Sequence, residues 1–597
     1  MNEETPGGWR AFVRRRGPGA MILLALLLVA AVVQMLVITR RGASPETCVP
    51  LAMTLLALVT NGWWCRSARA AYPAAPLSRG TAKARRATWL VAGASVVLAI
   101  WPRYTRLDQG LTADEMVKVE TGILGHWETQ ADGQRHFHPI TWQETLHARE
   151  AWTDTFKVGP WGYLEARAGH VLLGGSSDGK EPVRERGLRL FPFVSGILTV
   201  GLIALLSTLI AGPRAGLAAG LILALHPGHV MVSTTIGASS TMLLCFAAAI
   251  LSLMKALETN RWPWWLALAA AQAACFLCNG ASLGALVGLN AGGVAAILAS
   301  RAGDDRLSHL LRLLLPVALG VVWLVTMDSF EYSSQWPDKA LRDQWSQVVG
   351  GIPDTESGSG FSLTHIARDT PWRGVSARWF LLLCAGAGLL VMLFQDWRSR
   401  AVAACVLTGY FLCPESVTIL FLALLLPPVL ACAGAGLARL SPRNKRLGHA
   451  PVFIGVVYAL TTLPVLHRLM ALPALPIREV AAAAKRTGAD AKAMTASPDA
   501  SAVFYDPEVR VVRTLTELND VVDAANEQGR PLRVYHRMTE GGEERRSLLE
   551  ELEKSGRFQL VQEFTALELQ NHCRLYRYQP KERIIHLNLK AEKKPVP

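Results

Sequence analysis

Long uncharged apolar blocks alternate with shorter polar stretches along most of the chain. A membrane-crossing helix needs about 20 mostly apolar residues. Segments of that kind lie at 21–39, 48–65, 87–102, 188–210, 215–232, 239–257, 262–278, 280–300, 309–327, 378–395, 401–414, 416–437 and 451–470. The pattern therefore predicts thirteen transmembrane helices, with 87–102 marginal and 401–414 short. Met21–Thr39 follows Arg14, Arg15 and Arg16 as a signal peptide does, but it has no evident small-residue cleavage site. A second apolar run follows at once, so the segment reads as an uncleaved first span. After residue 470 the blocks stop and the period changes. Short β-rich runs (Ala502–Tyr505, Val509–Val512, Leu532–Tyr535, Phe558–Phe564, Arg574–Tyr578) alternate with helical patterns at 516–528 and 543–555. Thr516–Asn519 resembles a helix start and Gly529 its end. Such alternation predicts a sheet with helices packed on it. The fold class is mainly α, a polytopic helical membrane protein with large outer loops and a small C-terminal α/β domain. Its parts are an N-terminal pair of spans with a basic loop (1–86), a transmembrane module (87–470) and the α/β domain (471–597).

Charge assigns the two sides. Cytoplasmic loops are enriched in Lys and Arg. The N-terminus carries Arg10, Arg14, Arg15 and Arg16, and the loop after the second span carries Arg66, Arg69, Arg79, Lys83, Arg85 and Arg86 without an acid. Arg214, Arg261, Arg301–Arg312, Arg398 with Arg400, and Arg439–Arg446 mark every second loop thereafter. All fall on one side if the spans number thirteen. The pieces 103–187, 328–377 and 471–597 then lie outside the cytoplasm, in a multi-pass protein of the cell (inner) membrane with a cytoplasmic N-terminus.

Composition agrees. Hydrophobic residues make up 51% and charged residues 18% of 597, against about a quarter charged in a soluble domain. The net charge of +14 sits beside apolar spans, which fits topology and anionic lipid rather than nucleic acid. Of ten cysteines, only Cys573 lies in a clearly polar region, so no disulfide framework is indicated. Cys275 and Cys278 have redox-pair spacing but sit in an apolar run, where they read as small buried hydrophobes.

The first outer loop carries the most chemistry. Asp114 and Glu115 lie about a dozen residues past the end of a span. They suit a helix start capped by Thr112, and they equally suit a general base held at the membrane surface. The same loop holds His126, His136, His138, His147 and His170 with Trp127, Trp142, Trp152 and Trp161. A Trp-rich interfacial stretch and a sugar-stacking surface both account for them, and His138 with Trp142 are the substrate-binding candidates. His136-Phe-His138 lacks standard zinc spacing. One acidic pair without a second ligand set leaves a divalent cation open, and no cofactor is assigned. In the second outer loop, Arg368, Arg373 and Arg378, with His365, stand at a membrane face. They can grip a lipid phosphate or snorkel to the headgroups. His226-Pro227-Gly228-His229 reads as a turn between spans, and Asn279 and Asn290 as helix–helix contacts.

The layout resembles a known superfamily. Its markers are the outer acidic pair, Arg189-Leu-Phe-Pro192 running into Gly196-Ile-Leu-Thr-Val, Arg214-Ala-Gly216-Leu-Ala-Ala, His226-Pro227 and an outer C-terminal domain. These are similar to the C-type (GT-C) glycosyltransferases, near the protein O-mannosyltransferases and the lipid A aminoarabinose transferases. The resemblance covers roughly 87–470. It implies a sugar donor on a polyprenyl phosphate, a lipid, glycan or protein acceptor attacking the anomeric carbon outside the cytoplasm, and inversion. Asp114 matches the family's catalytic aspartate, with Glu115 beside it, and outer basic residues hold the lipid phosphate. Relatives often carry Ser-x-Glu-x-Arg-x-Tyr at the outer start of the sixth span. Here Ser233-Thr-Thr-Ile-Gly-Ala-Ser239 replaces it without the Glu, Arg or Tyr.

Two other classes compete. A transporter or flippase of lipid-linked sugar calls for mid-span charges and inverted repeats, and the spans are nearly free of charge. A non-catalytic membrane scaffold derived from such an enzyme fits the missing Glu-Arg-Tyr pattern.

Overall fold

The computed structural model describes residues 82–129, 135–147, 150–151, 157–158, 161–175, 183–259, 261–278, 282–299, 309–310, 312–313, 384–390, 392, 401–403, 405, 424–435, 447–486, 493–499, 502–538, 543–567 and 571–579. The expected spans at 21–39 and 48–65, and most of those at 309–327, 378–395 and 401–414, lie outside them. The elements follow in chain order. First come α1 (Ala82–Tyr104), α2 (Ala113–Lys118) running into a π-helical turn (Val119–Ile123), β1 (Gly125–Thr129), β2 (Arg135–Pro139) and α3 (Trp142–His147). Then come β3 (Glu150–Ala151), β4 (Lys157–Val158), α4 (Trp161–Leu172), α5 (Glu185–Leu188), α6 (Leu190–Ala211), α7 (Pro213–Ala224), α8 (Pro227–Val232) and α9 (Ser239–Thr259). The apolar helices α10 (Trp262–Cys278), α11 (Leu283–Ala299), α12 (Leu424–Ala435) and α13 (Ala450–Ala471) follow. The C-terminal part holds α14 (Ile477–Arg486), β5 (Met494–Ser497), α15 (Ala502–Tyr505), β6 (Arg510–Val511), α16 (Leu515–Glu527), β7 (Leu532–Arg537), α17 (Glu543–Lys554), β8 (Phe558–Phe564) and β9 (Cys573–Tyr578).

The chain forms two compact units: residues 1–108, 118–125 and 139–470, and residues 109–117, 126–138 and 471–597. In the first, α6, α9 and α13 are long and apolar enough to cross a membrane, and α7, α10 and α12 are shorter apolar helices. Together they make the polytopic helical class that the hydropathy predicts. The expected span 215–232 is broken: α7 ends at Ala224, and His226-Pro227 starts the separate helix α8. Proline has no N–H to continue the ladder, and here it takes the first helical turn, where none is needed. His226 Nδ1 accepts the His229 N–H at 3.2 Å and caps α8.

That break is closed by Arg103, fully buried at the end of α1. Its guanidinium donates to the Ala224 and Ala99 carbonyls at 2.9 Å, to the Leu223 carbonyl at 3.4 Å and to Ser233 Oγ at 2.8 Å. It also lies 2.6 Å from His229 Nδ1. The last carbonyls of a helix have no intrahelical donor, so one side chain from α1 satisfies the end of α7 and ties it to α8.

α7 meets its neighbours through Gly216-Leu-Ala-Ala-Gly220. A Cβ on Gly216 collides with Thr208 Oγ1 of α6, and one on Gly220 with Ser95 Oγ of α1. This small-xxx-small spacing lets backbones approach where lipid offers no hydrophobic drive. Asn290 Nδ2 of α11 donates to Gln272 Oε1 of α10 at 3.0 Å, the helix–helix contact read from the sequence. Cys275 and Cys278 are buried among apolar side chains, as their setting suggested.

In the second unit the five-stranded sheet has the order β6-β5-β7-β9-β8. β5 is parallel to β6 and β7, whereas β9 is antiparallel to β7 and β8. Leu518, Val522, Leu548 and Leu552 of α16 and α17 bury against Ala496, Leu532, Val534 and Tyr576 of the sheet. Two readings are corrected. Ala502–Tyr505 is a helical turn, not a strand, and the strand precedes it at Met494–Ser497. Periodicity does not separate helix from strand in so short an apolar run. The start of α16 is Thr514, whose hydroxyl accepts the Glu517 N–H at 3.2 Å. Gly529 follows that helix at φ +60°, the left-handed conformation glycine favours.

Two outcomes test this packing. Arg103→Ala orphans several buried acceptors at about 1–3 kcal/mol each, so thermal unfolding in nanodiscs should show a loss above about 3 kcal/mol, with Arg103→Lys recovering only part. Gly220→Val should cost about 1–3 kcal/mol by overpacking, measured against Gly93→Ala, whose added Cβ meets nothing within 4 Å.

Candidate functional site

The acidic pair is divided by local chemistry. Thr112 caps α2: its hydroxyl accepts the Glu115 N–H at 3.1 Å, and Glu115 Oε2 accepts the Thr112 N–H at 2.9 Å. This is a capping box. It is held from outside by the Leu111 N–H, which donates to the Tyr505 hydroxyl at 2.8 Å. Glu115 is buried, whereas Asp114, one position earlier on the same turn, is exposed. The helix-start reading of the sequence thus holds. Glu115 builds the helix start, and Asp114 is presented on it. α3 repeats the device, with Glu144 Oε2 accepting from the Thr141 N–H at 2.6 Å and from its hydroxyl at 2.8 Å. These bonds hold the Glu144 carboxyl below the usual range.

His138 is exposed on β2, 3.0 Å from Glu128 Oε2 and stacked on His126 at 5.6 Å. Trp142 opens α3, is 45% exposed, and lies under the Arg167 guanidinium at 4.7 Å. Arg167 also donates to Thr145 Oγ1 at 2.6 Å. Asp114, Glu115 and His138 belong to the second unit and Trp142 to the first. His365, Arg368, Arg373 and Arg378 lie outside the described residues. Among the described residues no group of three or more His, Cys, Asp or Glu is arranged to hold a metal ion.

Sequence reasoning passed over two sets of residues. The first is a group of buried arginines in the first unit. Besides Arg103, Arg106 donates to Thr234 Oγ1 at 3.0 Å and to the Leu469 carbonyl, and Arg189 donates to the Arg106 carbonyl at 3.3 Å. The acceptors of these bonds are hydroxyl and carbonyl oxygens. The position of these arginines at the ends of apolar runs was legible, but their buried partners were not.

The second is Glu165 of α4. The Trp161 indole N–H donates to Glu165 Oε1 at 2.5 Å, and Thr241 Oγ1 of α9 donates to Oε2 at 3.0 Å. Thr241 in turn lies 3.0 Å from Ser195 Oγ of α6. Partial burial pushes the Glu165 carboxyl up to about 7, against the pull of these two bonds. The start of α4 is fixed by Gly162, where a Cβ meets the Ala238 nitrogen at 2.7 Å. Only glycine permits that approach to the start of α9. The Trp-x-x-x-Glu spacing at 161–165 was legible as one helix face, but its partner Thr241 is 76 residues away.

Known proteins can now be set beside this arrangement. No curated protein matches the chain. ArnT from Cupriavidus metallidurans in its apo state is 14% identical, with TM-score 0.47, over 82% of this chain and 97% of that one. The same protein bound to undecaprenyl phosphate gives 13% and 0.46 over the same shares. The Archaeoglobus fulgidus oligosaccharyltransferase in complex with Zn and sulfate is 11% identical, with TM-score 0.44, over 75% of this chain and 68% of that one. The family model for dolichyl-phosphate-mannose-protein mannosyltransferase matches residues 182–325, the stretch from just before α5 through α11. Over that stretch the chain is similar to a family of GT-C membrane glycosyltransferases, the one its Arg189–Pro192 and Arg214–Gly216 motifs resemble.

Proposed function

We propose that the chain transfers a sugar from a polyprenyl-phosphate donor to an acceptor on the extracytoplasmic side of the cell membrane, with inversion. The match of residues 182–325 to a family described by a dolichyl-phosphate-linked mannose carries this reading. An acceptor hydroxyl or amine attacks the anomeric carbon and a new bond forms there. The bond from that carbon to the phosphate oxygen breaks, and its electron pair leaves with the lipid phosphate. Asp114 takes the acceptor's proton as general base. Its exposure on a helix turn locked by the Thr112–Glu115 box supports that role. Glu115, tied to the cap, acts by holding the turn. The leaving phosphate needs positive charge, and His365, Arg368, Arg373 and Arg378 supply it by their position in the sequence. His138 and Trp142 contact the sugars.

Asp114→Asn should lower the transfer rate roughly 10²–10⁴-fold with donor binding retained, measured on the purified chain with polyprenyl-phosphate sugars. Glu115→Gln keeps an acceptor oxygen for the Thr112 N–H and should cost less. Normal transfer by the Asp114→Asn protein removes Asp114 from the mechanism. A reporter fused after Tyr578 should read as extracytoplasmic. A cytoplasmic signal there reverses the sidedness.

A further inference from the structure

Glu165 is a carboxyl in an unusual setting. Among the described residues no cation forms an ion pair with it, and its two bonded donors, the Trp161 indole and the Thr241 hydroxyl, are neutral. The titratable groups that face it are the Cys245 thiol of α9 and the Cys278 thiol of α10. The other elements packed against α4 carry Glu120, Glu144, Glu185 and Arg186, and α4 itself carries Arg167 and His170, none of which pairs with it. Glu144 is bonded to Thr141, and Arg186 to Asp108.

Trp161 is equally specific. It is 44% exposed, yet its single polar atom is taken by Glu165 at 2.5 Å. A tryptophan serving only as a membrane anchor turns its N–H toward water and headgroups. Here the N–H is turned onto Glu165 instead. A carboxylate has about four lone-pair sites, and two are used, so the same group can accept further hydrogen bonds. An exposed aromatic surface beside a carboxylate without a cation is complementary to a sugar ring, which has an apolar C–H face and hydroxyl donors at its edge.

We propose that Trp161, Glu165 and Thr241 form a saccharide subsite of the first unit, with the sugar ring of the acceptor on the indole and its hydroxyls donating to the Glu165 carboxylate. The subsite rests on the transfer reading and deepens it: the acceptor is a saccharide. Hydrogen bonds to an ionised acceptor are roughly twice as strong as neutral ones. Because the carboxyl titrates at about 7, binding strengthens as pH rises through neutrality. Folding has the opposite sign. A raised carboxyl pKa adds stability that is complete below the ordinary value near 4.5 and is lost as pH rises through about 7.

The test uses the full chain in nanodiscs on an array of immobilised, lipid-free oligosaccharides. Wild-type binding should fall several-fold from pH 8 to pH 6. Glu165→Gln, which preserves the shape, should bind roughly tenfold more weakly at pH 8 and show no pH dependence, with Trp161→Phe and Thr241→Val weakened as well. Without ligand, the wild-type melting temperature should drop relative to Glu165→Gln between pH 5 and pH 8. In transfer assays Glu165→Gln should raise the acceptor KM with little change in kcat, unlike Asp114→Asn. Binding and KM unchanged in Glu165→Gln and Trp161→Phe overturn the subsite and leave the transfer reading intact. Equal melting of wild type and Glu165→Gln across that pH range overturns the ionisation. Saccharide binding by a wild type that transfers nothing overturns the transfer reading and keeps the subsite as a binding site. No glycan bound by the wild type at either pH overturns the proposal and leaves Trp161 an interfacial anchor.

Discussion

A helix that ends inside a packed bundle leaves its last backbone carbonyls without intrahelical donors, and the first unit depends on how that is met. α7 has 12 residues, about 18 Å at 1.5 Å per residue, against a hydrocarbon core of about 30 Å. Its last carbonyls, Leu223 and Ala224, are met by Arg103. The same guanidinium holds Ser233 and sits against His229, so α1, α7 and α8 share one buried charge. The close approach that lets it reach comes from Gly220, which has no side chain in the way of Ser95. Glycine spacing and arginine bonding are two halves of one joint.

Four Glu residues show how environment divides one chemistry. Glu115, Glu144 and Glu517 each lie three residues after a threonine and close a capping box. There the carboxylate accepts the threonine N–H, and its job is structural. Glu165 follows a tryptophan by four residues, lies in the middle of its helix and bonds an indole and a hydroxyl. Desolvation rather than hydrogen bonding sets its proton affinity. Asp114 rides on a box that it does not itself form.

What the sequence disclosed follows from the range of each interaction. Block length and Lys/Arg bias are properties of short windows, so the membrane class, the helical pattern of α6, α9 and α13 and the edges of β8 were legible. The Thr112–Glu115 box is a three-residue relation and was read as a helix start. Two relations were out of reach. Arg103 finds Ala224 across 121 residues and Glu165 finds Thr241 across 76. Neither residue looks unusual locally: Arg103 reads as the charged end of a span and Glu165 as an exposed helical acid. The break at Pro227 was visible as a turn, but the run around it was apolar enough to be read as one span. The misread strand at Ala502–Tyr505 has the same origin, since Tyr505 is helical in a unit where its hydroxyl meets the Leu111 N–H.

The joint at Arg103 also orders events in time. α1 leaves the ribosome more than a hundred residues before α7, so the donor is made before the carbonyls that need it. α7 on its own is too short to span and ends in unsatisfied backbone. Its end is satisfied only beside the helix that carries Arg103. The chain is thus written donor first: the helix with the buried cation precedes the interrupted helix that packs against it.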